Sequence, residues 1–399
     1  MEKIVEFIQR KQLSRVLIGL FCVVFVIAVF LLGLNIGNGN INFSNQAYDS
    51  GLPASLNYST VNQEYQALRQ YYDGKLTQTQ LLDGIKHGLA QATNDPYTEY
   101  FTASEAKAFS NELNNSFSGI GAELSQNAQH EIEIMSPLKG SPAAKAGLLP
   151  KDIIAAVNGK STSNMTVEQA VYAIRGKANT AVELTIIRAN RSFNVKIIRQ
   201  NIVVPSVSYK ILNGNIGYIS IMTFANDTSS LIQQASSYLV KSHVKGIILD
   251  LRNNPGGLVS AAVAVTSEWL KPGQEIMQEK RGSQVLQTYN ATGGDILHGI
   301  PTVVLINGGS ASASEITAGA LHDHHDAYLI GTKSYGKGVV QQLVNLSDGS
   351  VLKVTIASWY RPDGQNINKI GITPDQVVQL KSGSTDNQLI AAESYLSKQ

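Results

Sequence analysis

The stretch TVVLINGGSASASEITAGALHD, from Thr302 to Asp323, decides the fold of the C-terminal half of the chain. It opens with a β-branched, apolar run, passes through a glycine- and serine-rich turn, and continues with helix-forming residues. Ser312 and Glu315 fit an S-x-x-E capping box, which predicts that Ser312 begins the helix. Free N–H groups and the positive end of a helix dipole could stabilise an oxyanion there, although small polar residues at an ordinary helix cap would give the same pattern.

The same alternation extends over residues 201–380, where the β-type runs IGYISI, GIILDL, TVVLI, AYLIGT and VLKVTIA are separated by helical patterns near 228–240, 258–270 and 312–321. Strands alternating with helices predict an α/β (α+β) core. Residues 381–399 follow as a C-terminal tail, with a linker and a short terminal helix.

Two regions precede this core. Residues 116–200 combine short β-type runs with turns and one predicted helix, Thr166 to Ile174, and therefore predict a compact β-rich module inserted ahead of the core. Residues 61–115 predict a small helical N-terminal region that is interrupted by an NDPY turn at Asn94 to Tyr97. Its apolar residues recur at mostly helical spacings: Leu68, Tyr71, Tyr72, Leu81, Leu82, Ile85 and Leu89.

The N-terminus has the pattern of a membrane anchor. The stretch from Val16 to Leu34 carries no charged residue, and a helix of that length can cross a hydrocarbon core of about 30 Å. Basic residues precede it and an uncharged Gly/Asn/Ser-rich segment follows it. We therefore predict a cytoplasmic tail (1–15), one transmembrane helix (16–36) and a linker (37–60), with the remaining domains outside the cytoplasmic membrane.

Composition excludes several classes of function. A net charge of +2, with no basic and aromatic stripe, argues against nucleic acid as a partner. The single cysteine, Cys22, cannot form an internal disulfide or a cysteine-based metal site. The HDHH cluster that starts at His322 could bind a metal, but a polar helix end is the commoner meaning of such a cluster. We expect no metal and no cofactor.

A serine nucleophile needs a base, and Lys337 in GTKSYGKGVVQQ (331–342) is one candidate. A helix that starts at Ser312 would place His322 about 15 Å further along, which does not support a local Ser-His pair. The segment also matches G-x-x-x-x-G-K of a phosphate-binding loop, but Gly338 stands where Ser or Thr should hold magnesium. Lys337 can act as a base only if burial lowers its pKa, and a solvated loop lysine remains the alternative.

Two glycine-rich segments could donate backbone hydrogen bonds. In DLRNNPGGLVSAA (250–262), the Pro-Gly-Gly loop follows a β-type run and could complete an oxyanion hole, or be only a turn. In FSGIGAEL (117–124), followed by SPAAKAGLLPKDIIAAVNGKS (141–161), a glycine-rich loop leads into a strand. Such a loop can bind a peptide carboxylate while the strand edge accepts the peptide, although a purely structural β-rich insert would look similar.

Together these segments resemble the bacterial carboxyl-terminal processing peptidases, or tail-specific proteases, over Leu81 to Val378. These are Ser-Lys proteases with a PDZ domain. The resemblance implies that Ser312 is the nucleophile, that Lys337 is the base 25 residues later, and that Gln341 orients the lysine. The other implied roles are oxyanion donation by Ala313 and the Gly257 region, peptide binding by Gly119, Ile120, Gly121 and Ala122, and PDZ-to-site coupling by Arg175.

The resemblance further implies a serine endopeptidase that recognises proteins by their free C-terminal tails and works through an acyl-enzyme. Asn179 departs from the family pattern, which often has Gly in this turn, but Asn tolerates positive φ. Asp323 resembles a position that influences activity in some members, without an implied catalytic role. The alternative function is a catalytically inactive, membrane-tethered PDZ scaffold or chaperone, and the oligomeric state stays open, with a homodimer among the states allowed.

Overall fold

The computed structural model describes residues 51–53, 55–381 and 385–399. The predicted cytoplasmic tail, the transmembrane helix and most of the linker lie outside these residues. Within them, no helix has both the length and the apolar character that a membrane crossing requires.

The chain forms two compact units, which divide after Lys75. The helices of the described residues are α1 (Ser59–Tyr71), α2 (Gln78–Gln91), α3 (Ala103–Leu113), α4 (Pro142–Lys145), α5 (Val167–Ile174), α6 (Thr228–Lys241), α7 (Val259–Ser267), α8 (Ala313–Asp323) and α9 (Asn387–Leu396). Helix α1 belongs to the first unit and all later elements belong to the second.

The strands of the described residues are β1 (Glu99–Phe101), β2 (Ser116–Gly119), β3 (Ala122–Gln126), β4 (Ile132–Pro137), β5 (Ile153–Val157), β6 (Lys160–Ser161), β7 (Ala181–Arg188), β8 (Arg191–Ile198), β9 (Gln200–Val203), β10 (Val207–Leu212), β11 (Ile216–Ile221), β12 (Gly246–Asp250), β13 (Glu275–Arg281), β14 (Gln284–Asn290), β15 (Thr302–Ile306), β16 (Tyr328–Gly331), β17 (Val339–Asn345), β18 (Val351–Tyr360) and β19 (Gln376–Val377).

The main sheet of the core has the order β10-β11-β12-β15-β16-β19. Strand β10 pairs antiparallel with β11, and each later neighbour pairs in parallel. Every residue of β12 and β15 is buried, which explains why their sequences are continuous apolar runs rather than alternating ones.

Helices cover both faces of this sheet. One core joins strand residues such as Leu249 and Val304 to Ile232 of α6, Val265 of α7 and Ile316 of α8. On the opposite face, Ala392 and Leu396 of α9 pack on the other alternate strand residues, Ile248, Val303, Leu305 and Ile330. The C-terminal tail therefore contributes a helix to the layered core, because it buries a sheet face that the other helices leave open.

A second sheet has the order β1-β18-β13-β14, and β17 also pairs with β18. Strand β1 comes from the region predicted as helical. It pairs antiparallel with β18, with Tyr100 opposite Leu352. Three residues are too few for a period-2 pattern to be recognised in a sequence, so this connection between the N-terminal region and the core was not foreseen.

The inserted β-rich module has its own buried core. Its sheet runs β3-β4-β5-β7-β8, with β6 beside β5, and β3 forms one edge. The antiparallel ribbon of β2 and β9 brings the two ends of the insertion together. Asn179 has φ +65°, as the tolerance of Asn for this conformation predicted.

Candidate active site

Three loops meet at one edge of the main sheet, because they follow three adjacent parallel strands. The Pro-Gly-Gly loop follows β12, the serine-rich turn follows β15, and the loop with Lys337 follows β16. The carboxyl ends of neighbouring parallel strands lie side by side, and this edge is where open α/β sheets bind ligands. Gly256, Ser312 and Lys337, which span 81 positions of the sequence, thereby share one site.

Ser312 is the N-cap of α8 and has φ +54° and ψ −116°. A positive φ is costly for a residue with a Cβ and occurs mainly where the surrounding structure enforces it, often at functional sites. The neighbouring turn is enforced by hydrogen bonds to the Pro-Gly-Gly loop. Ser310 Oγ donates to the Leu251 carbonyl at 2.7 Å, and Ser314 Oγ donates to the Asn254 carbonyl at 2.9 Å.

The carboxylate of Glu315 connects the serine to the lysine loop. Its Oε2 accepts from the N–H of Ser312 and from the N–H of Lys337, each at 2.9 Å. Its Oε1 accepts from Ser334 Oγ at 2.5 Å and from the Gly336 N–H at 2.7 Å. Glu315 is only 1% exposed. Because two N–H groups share one oxygen, the backbone nitrogens of Ser312 and Lys337 lie within about 6 Å of each other.

The backbone around Lys337 is fixed from its other side as well. The indole Nε1 of buried Trp359 donates to the Lys337 carbonyl at 2.9 Å. Lys369 donates its N–H to the Gly336 carbonyl at 2.8 Å. A Cβ at Gly338 would come within 2.5 Å of the Asn368 nitrogen, so the loop passes too close to its neighbour for any larger residue.

The Lys337 side chain is half-buried, and this burial lowers its pKa below the usual range. The nearby ammonium of Lys353 lowers it further, whereas the carboxylates of Asp95 and Glu315 oppose the shift. Lys337 Nζ lies 5.2 Å from the ring centroid of Tyr97. Gln341 lies on β17, where its Nε2 is 3.4 Å from Thr355 Oγ1.

Gly256 and Gly257 have different surroundings. A Cβ at Gly256 would lie 2.7 Å from Ser312 Cβ and 3.0 Å from the Ala313 nitrogen, so Gly256 packs directly against the turn that carries Ser312. Gly257 has φ +143°, and a Cβ there would strike the Phe224 carbonyl oxygen at 2.1 Å. Among the described residues, neither the N–H of Gly257 nor that of Ala313 has a hydrogen-bond acceptor. Two unpaired donors beside a serine are what an oxyanion hole requires.

The loop Gly119–Ala122 leads into the edge strand β3 of the inserted module. Its carbonyls are used, since Ile120 accepts from Ala143 and Gly121 accepts from Leu138. The N–H groups of Ile120 and Gly121 have no acceptor in the described part of the chain. Gly121 has φ +70°, and a Cβ there would lie 2.5 Å from Ser141 Cβ. The loop can therefore offer free N–H groups to a carboxylate.

Arg175 caps the C-terminal end of α5. Its guanidinium carbon lies 4.8 Å from the ring centroid of Phe117, two residues before the Gly119–Ala122 loop. In this structure Arg175 therefore contacts β2, the first strand of the inserted module.

The three histidines lie at the far end of α8 from Ser312. His322 lies between two carboxylates, with Nδ1 3.3 Å from Asp323 Oδ1 and Nε2 3.1 Å from Asp375 Oδ1. Buried Arg361 also pairs with Asp323. His324 Nε2 is 2.7 Å from the Glu275 carbonyl. These contacts join the end of α8 to neighbouring segments.

Sequence reasoning missed most of the residues that surround Ser312 and Lys337. Glu315 was recognised only as a capping residue, and its bonds to the Lys337 loop had no local signal. Trp359 and Tyr97 come from segments that only the folded structure brings to Lys337. The NDPY turn at 94–97 was the one available signal for Tyr97, because it departs from the helical pattern around it.

Comparisons with known proteins agree with this architecture. Residues 215–378 match the family model of peptidase family S41, and residues 110–187 match the PDZ domain model. The chain is 38% identical over 382 residues to the carboxy-terminal processing protease CtpA of Bacillus subtilis (strain 168), covering 95% of this chain and 81% of that protein.

It is also 38% identical over 377 residues to a CtpA-like serine protease of Staphylococcus aureus (strain bovine RF122 / ET3-1), covering 93% of this chain and 73% of that one. The crystal structure of an S41 protease from Bacteroides fragilis NCTC 9343 has a TM-score of 0.57 at 17% identity, over 87% of this chain and 99% of that chain, and so shares the fold. The predicted mixed α/β core with a PDZ domain is confirmed. The chain belongs to peptidase family S41 and is a serine-type carboxyl-terminal processing peptidase, which acts on proteins or peptides.

Proposed function

We propose that Ser312 is the nucleophile and Lys337 the general base of this peptidase, and that the reaction passes through an acyl-enzyme. The observation that carries the proposal is the bridge through Glu315, whose Oε2 accepts from the N–H groups of both residues. Shared hydrogen bonding to one buried group restricts the two backbones to a single arrangement, which is the positioning that a nucleophile and its base need.

In the first half of the reaction, neutral Lys337 takes the proton of Ser312 Oγ as Oγ bonds to the peptide carbonyl carbon. The C–N bond then breaks, and the ammonium of Lys337 returns the proton to the leaving amine. In the second half, Lys337 takes a proton from water as the water oxygen attacks the ester carbonyl carbon. It returns that proton to Ser312 Oγ as the C–Oγ bond breaks and the acid product leaves. The lowered pKa of Lys337 supports this role, because a larger fraction of the lysine is neutral at a given pH.

The negative oxygen of the tetrahedral intermediate would be held by the N–H groups of Ala313 and Gly257. Both lack an acceptor among the described residues, and Ala313 adds the positive end of the α8 dipole. We assign to Gln341 the role of orienting Lys337. Gln341 lies on β17, four residues after Lys337, and the partner strand β18 carries Trp359, which donates to the Lys337 carbonyl.

We further propose that the PDZ domain selects substrates by their free C-terminal carboxylate. The unpaired N–H groups of Ile120 and Gly121 support this, as does the position of β3 at a sheet edge, where a peptide can add as a further strand. Arg175 lies beside this loop and would link its occupancy to the rest of the chain.

The cellular location is part of the proposal. Residues 16–36 would anchor the chain in the bacterial cytoplasmic membrane as a single-pass helix, and the peptidase would act outside the cytoplasm. The basic flank before this segment and its uncharged flank after it support that orientation.

The dyad predicts that Ser312→Ala and Lys337→Ala each lower kcat/KM on an unfolded protein by roughly 10⁴-fold or more. In the wild type, kcat/KM should rise with pH as Lys337 loses its proton and level off below the ordinary lysine pKa of about 10.4. As a control, the triple variant His322→Ala, His324→Ala, His325→Ala should stay active, and a chelator should change nothing. Loss of activity in a stably folded triple variant would refute the Ser-Lys assignment.

Gly256 should tolerate no side chain, because a Cβ would press on Ser312 and on the Ala313 nitrogen. We expect Gly256→Ala to lower kcat by about 100-fold or more through displacement of the nucleophile, with circular dichroism unchanged. Gly273→Ala is the matched control: Gly273 also has positive φ, at +87°, but open space around its Cβ position. The prediction is wrong if both variants retain the same activity.

Tail recognition predicts that amidating a substrate's C-terminus weakens its capture by roughly 10- to 150-fold, because a charge-assisted hydrogen bond contributes about 1.5–3 kcal/mol. The effect should be read from kcat/KM below saturation. Gly121→Ala should abolish the preference for the free acid, since its Cβ would strike Ser141. Gly140→Ala, with φ +77° and no neighbour within 4 Å, should keep it. Equal cleavage of both substrates by the wild type would show that this loop does not read the tail.

A further inference from the structure

The NDPY segment of the N-terminal region reaches the base. The Tyr97 ring centroid lies 5.2 Å from Lys337 Nζ, within the range of a cation–π contact. Among the described residues, no carboxylate lies within salt-bridge distance of this nitrogen, and the nitrogen donates no hydrogen bond to them. The aromatic face is therefore the direct contact that the structure gives the lysine cation, and the carboxylates of Asp95 and Glu315 favour the cation from beyond ion-pair distance.

The position of Tyr97 is fixed by bonds within its loop and to the core. Asp95 Oδ1 accepts from the Tyr97 N–H at 3.2 Å, and Asp95 Oδ2 accepts from Thr98 Oγ1 at 2.6 Å. Thr98 Oγ1 in turn accepts from the Thr355 N–H of β18 at 3.2 Å. Strand β1 follows at once and pairs with β18. The residues that follow Tyr97 are thus anchored to β18, the strand that also carries Lys353.

Neither of the two groups expected to engage Lys337 Nζ is hydrogen-bonded to it among the described residues. Gln341 Nε2 lies against Thr355 Oγ1, and no hydrogen bond joins Lys337 Nζ to Ser312 Oγ in the described residues. The charged and titratable groups that face Lys337 come from several elements: Asp95 and Tyr97 from the loop, Glu315 from α8, and Lys353 from β18. Lys353 is itself paired with Glu99 at 2.9 Å.

We propose that Tyr97 is a positioning residue for the base: its ring holds the protonated amine of Lys337, which must leave the ring and lose its proton before it can serve Ser312. The inference rests on the proposed role of Lys337 and adds the N-terminal region to the catalytic apparatus. A ring face attracts a cation and not a neutral amine, so Tyr97 stabilises the resting, protonated lysine over the reactive one. Burial raises the pKa of the Tyr97 hydroxyl, so the ring stays neutral as Lys337 titrates.

The test compares Tyr97→Leu, which removes the aromatic face, with Tyr97→Phe, which removes only the hydroxyl. In the full-length chain, Tyr97→Leu should shift the acid limb of kcat/KM to lower pH by about 0.4 to 1.5 units, the pKa equivalent of a cation–π contact. Tyr97→Phe should move it by less than about 0.3 units. Tyr97→Met supplies a second non-aromatic variant in case the leucine variant fails to fold.

A second readout does not require activity. In Ser312→Ala chains with and without the Tyr97 changes, the pH dependence of Lys337 acetylation by trace acetic anhydride, followed by mass spectrometry, gives the lysine pKa directly. The pKa of Lys337 should fall in Tyr97→Leu and stay unchanged in Tyr97→Phe. An unchanged or raised pKa in Tyr97→Leu, or an equal fall in Tyr97→Phe, would overturn the proposal. Should Lys337→Ala remain active, the base assignment fails, while acetylation still reports on the ring contact.

Discussion

One buried carboxylate, that of Glu315, accepts four hydrogen bonds and thereby holds the two halves of the site together. Two of them come from the backbone N–H groups of Ser312 and Lys337, and two from Ser334 and Gly336. A carboxylate that is 1% exposed would be costly to bury alone, so its stability depends on these donors. The donors in turn depend on it, which ties the lysine loop to the first turn of α8.

The strand order of the main sheet allows Glu315 to join Ser312 to Lys337. Strands β12, β15 and β16 are adjacent and parallel, so their loops emerge at the same edge. Glycine then allows the loops to approach: Gly256 lies against Ser312, and Gly338 lies against Asn368. The strained backbone of Ser312 is supported from one side by the Pro-Gly-Gly loop and from the other by Glu315. Stability of the layered core thus provides the rigidity that the reaction needs.

Local sequence patterns predicted the elements better than their contacts. The strand, turn and helix around Ser312 and the positive φ of Asn179 follow from residues within a few positions. Glu315 and Lys337 are 22 positions apart in the sequence, and Tyr97 and Lys337 are 240 positions apart. Contacts between residues so far apart produce no local periodicity in the sequence, so neither could be predicted from one. The family resemblance assigned roles to matching motifs, but it could not supply the residues that hold those motifs in place.

The activity of Glu315→Gln tests the central claim most directly. An amide presents one acceptor oxygen in place of two. Two of the four donors would therefore lose their acceptor, and the Ser312 and Lys337 backbones would separate. The account predicts a loss in kcat/KM of about 100-fold or more with native circular dichroism. Glu279→Gln, at a buried glutamate bonded to Tyr289 outside the site, should retain activity. A Glu315→Gln enzyme as active as the Glu279→Gln control would contradict the account.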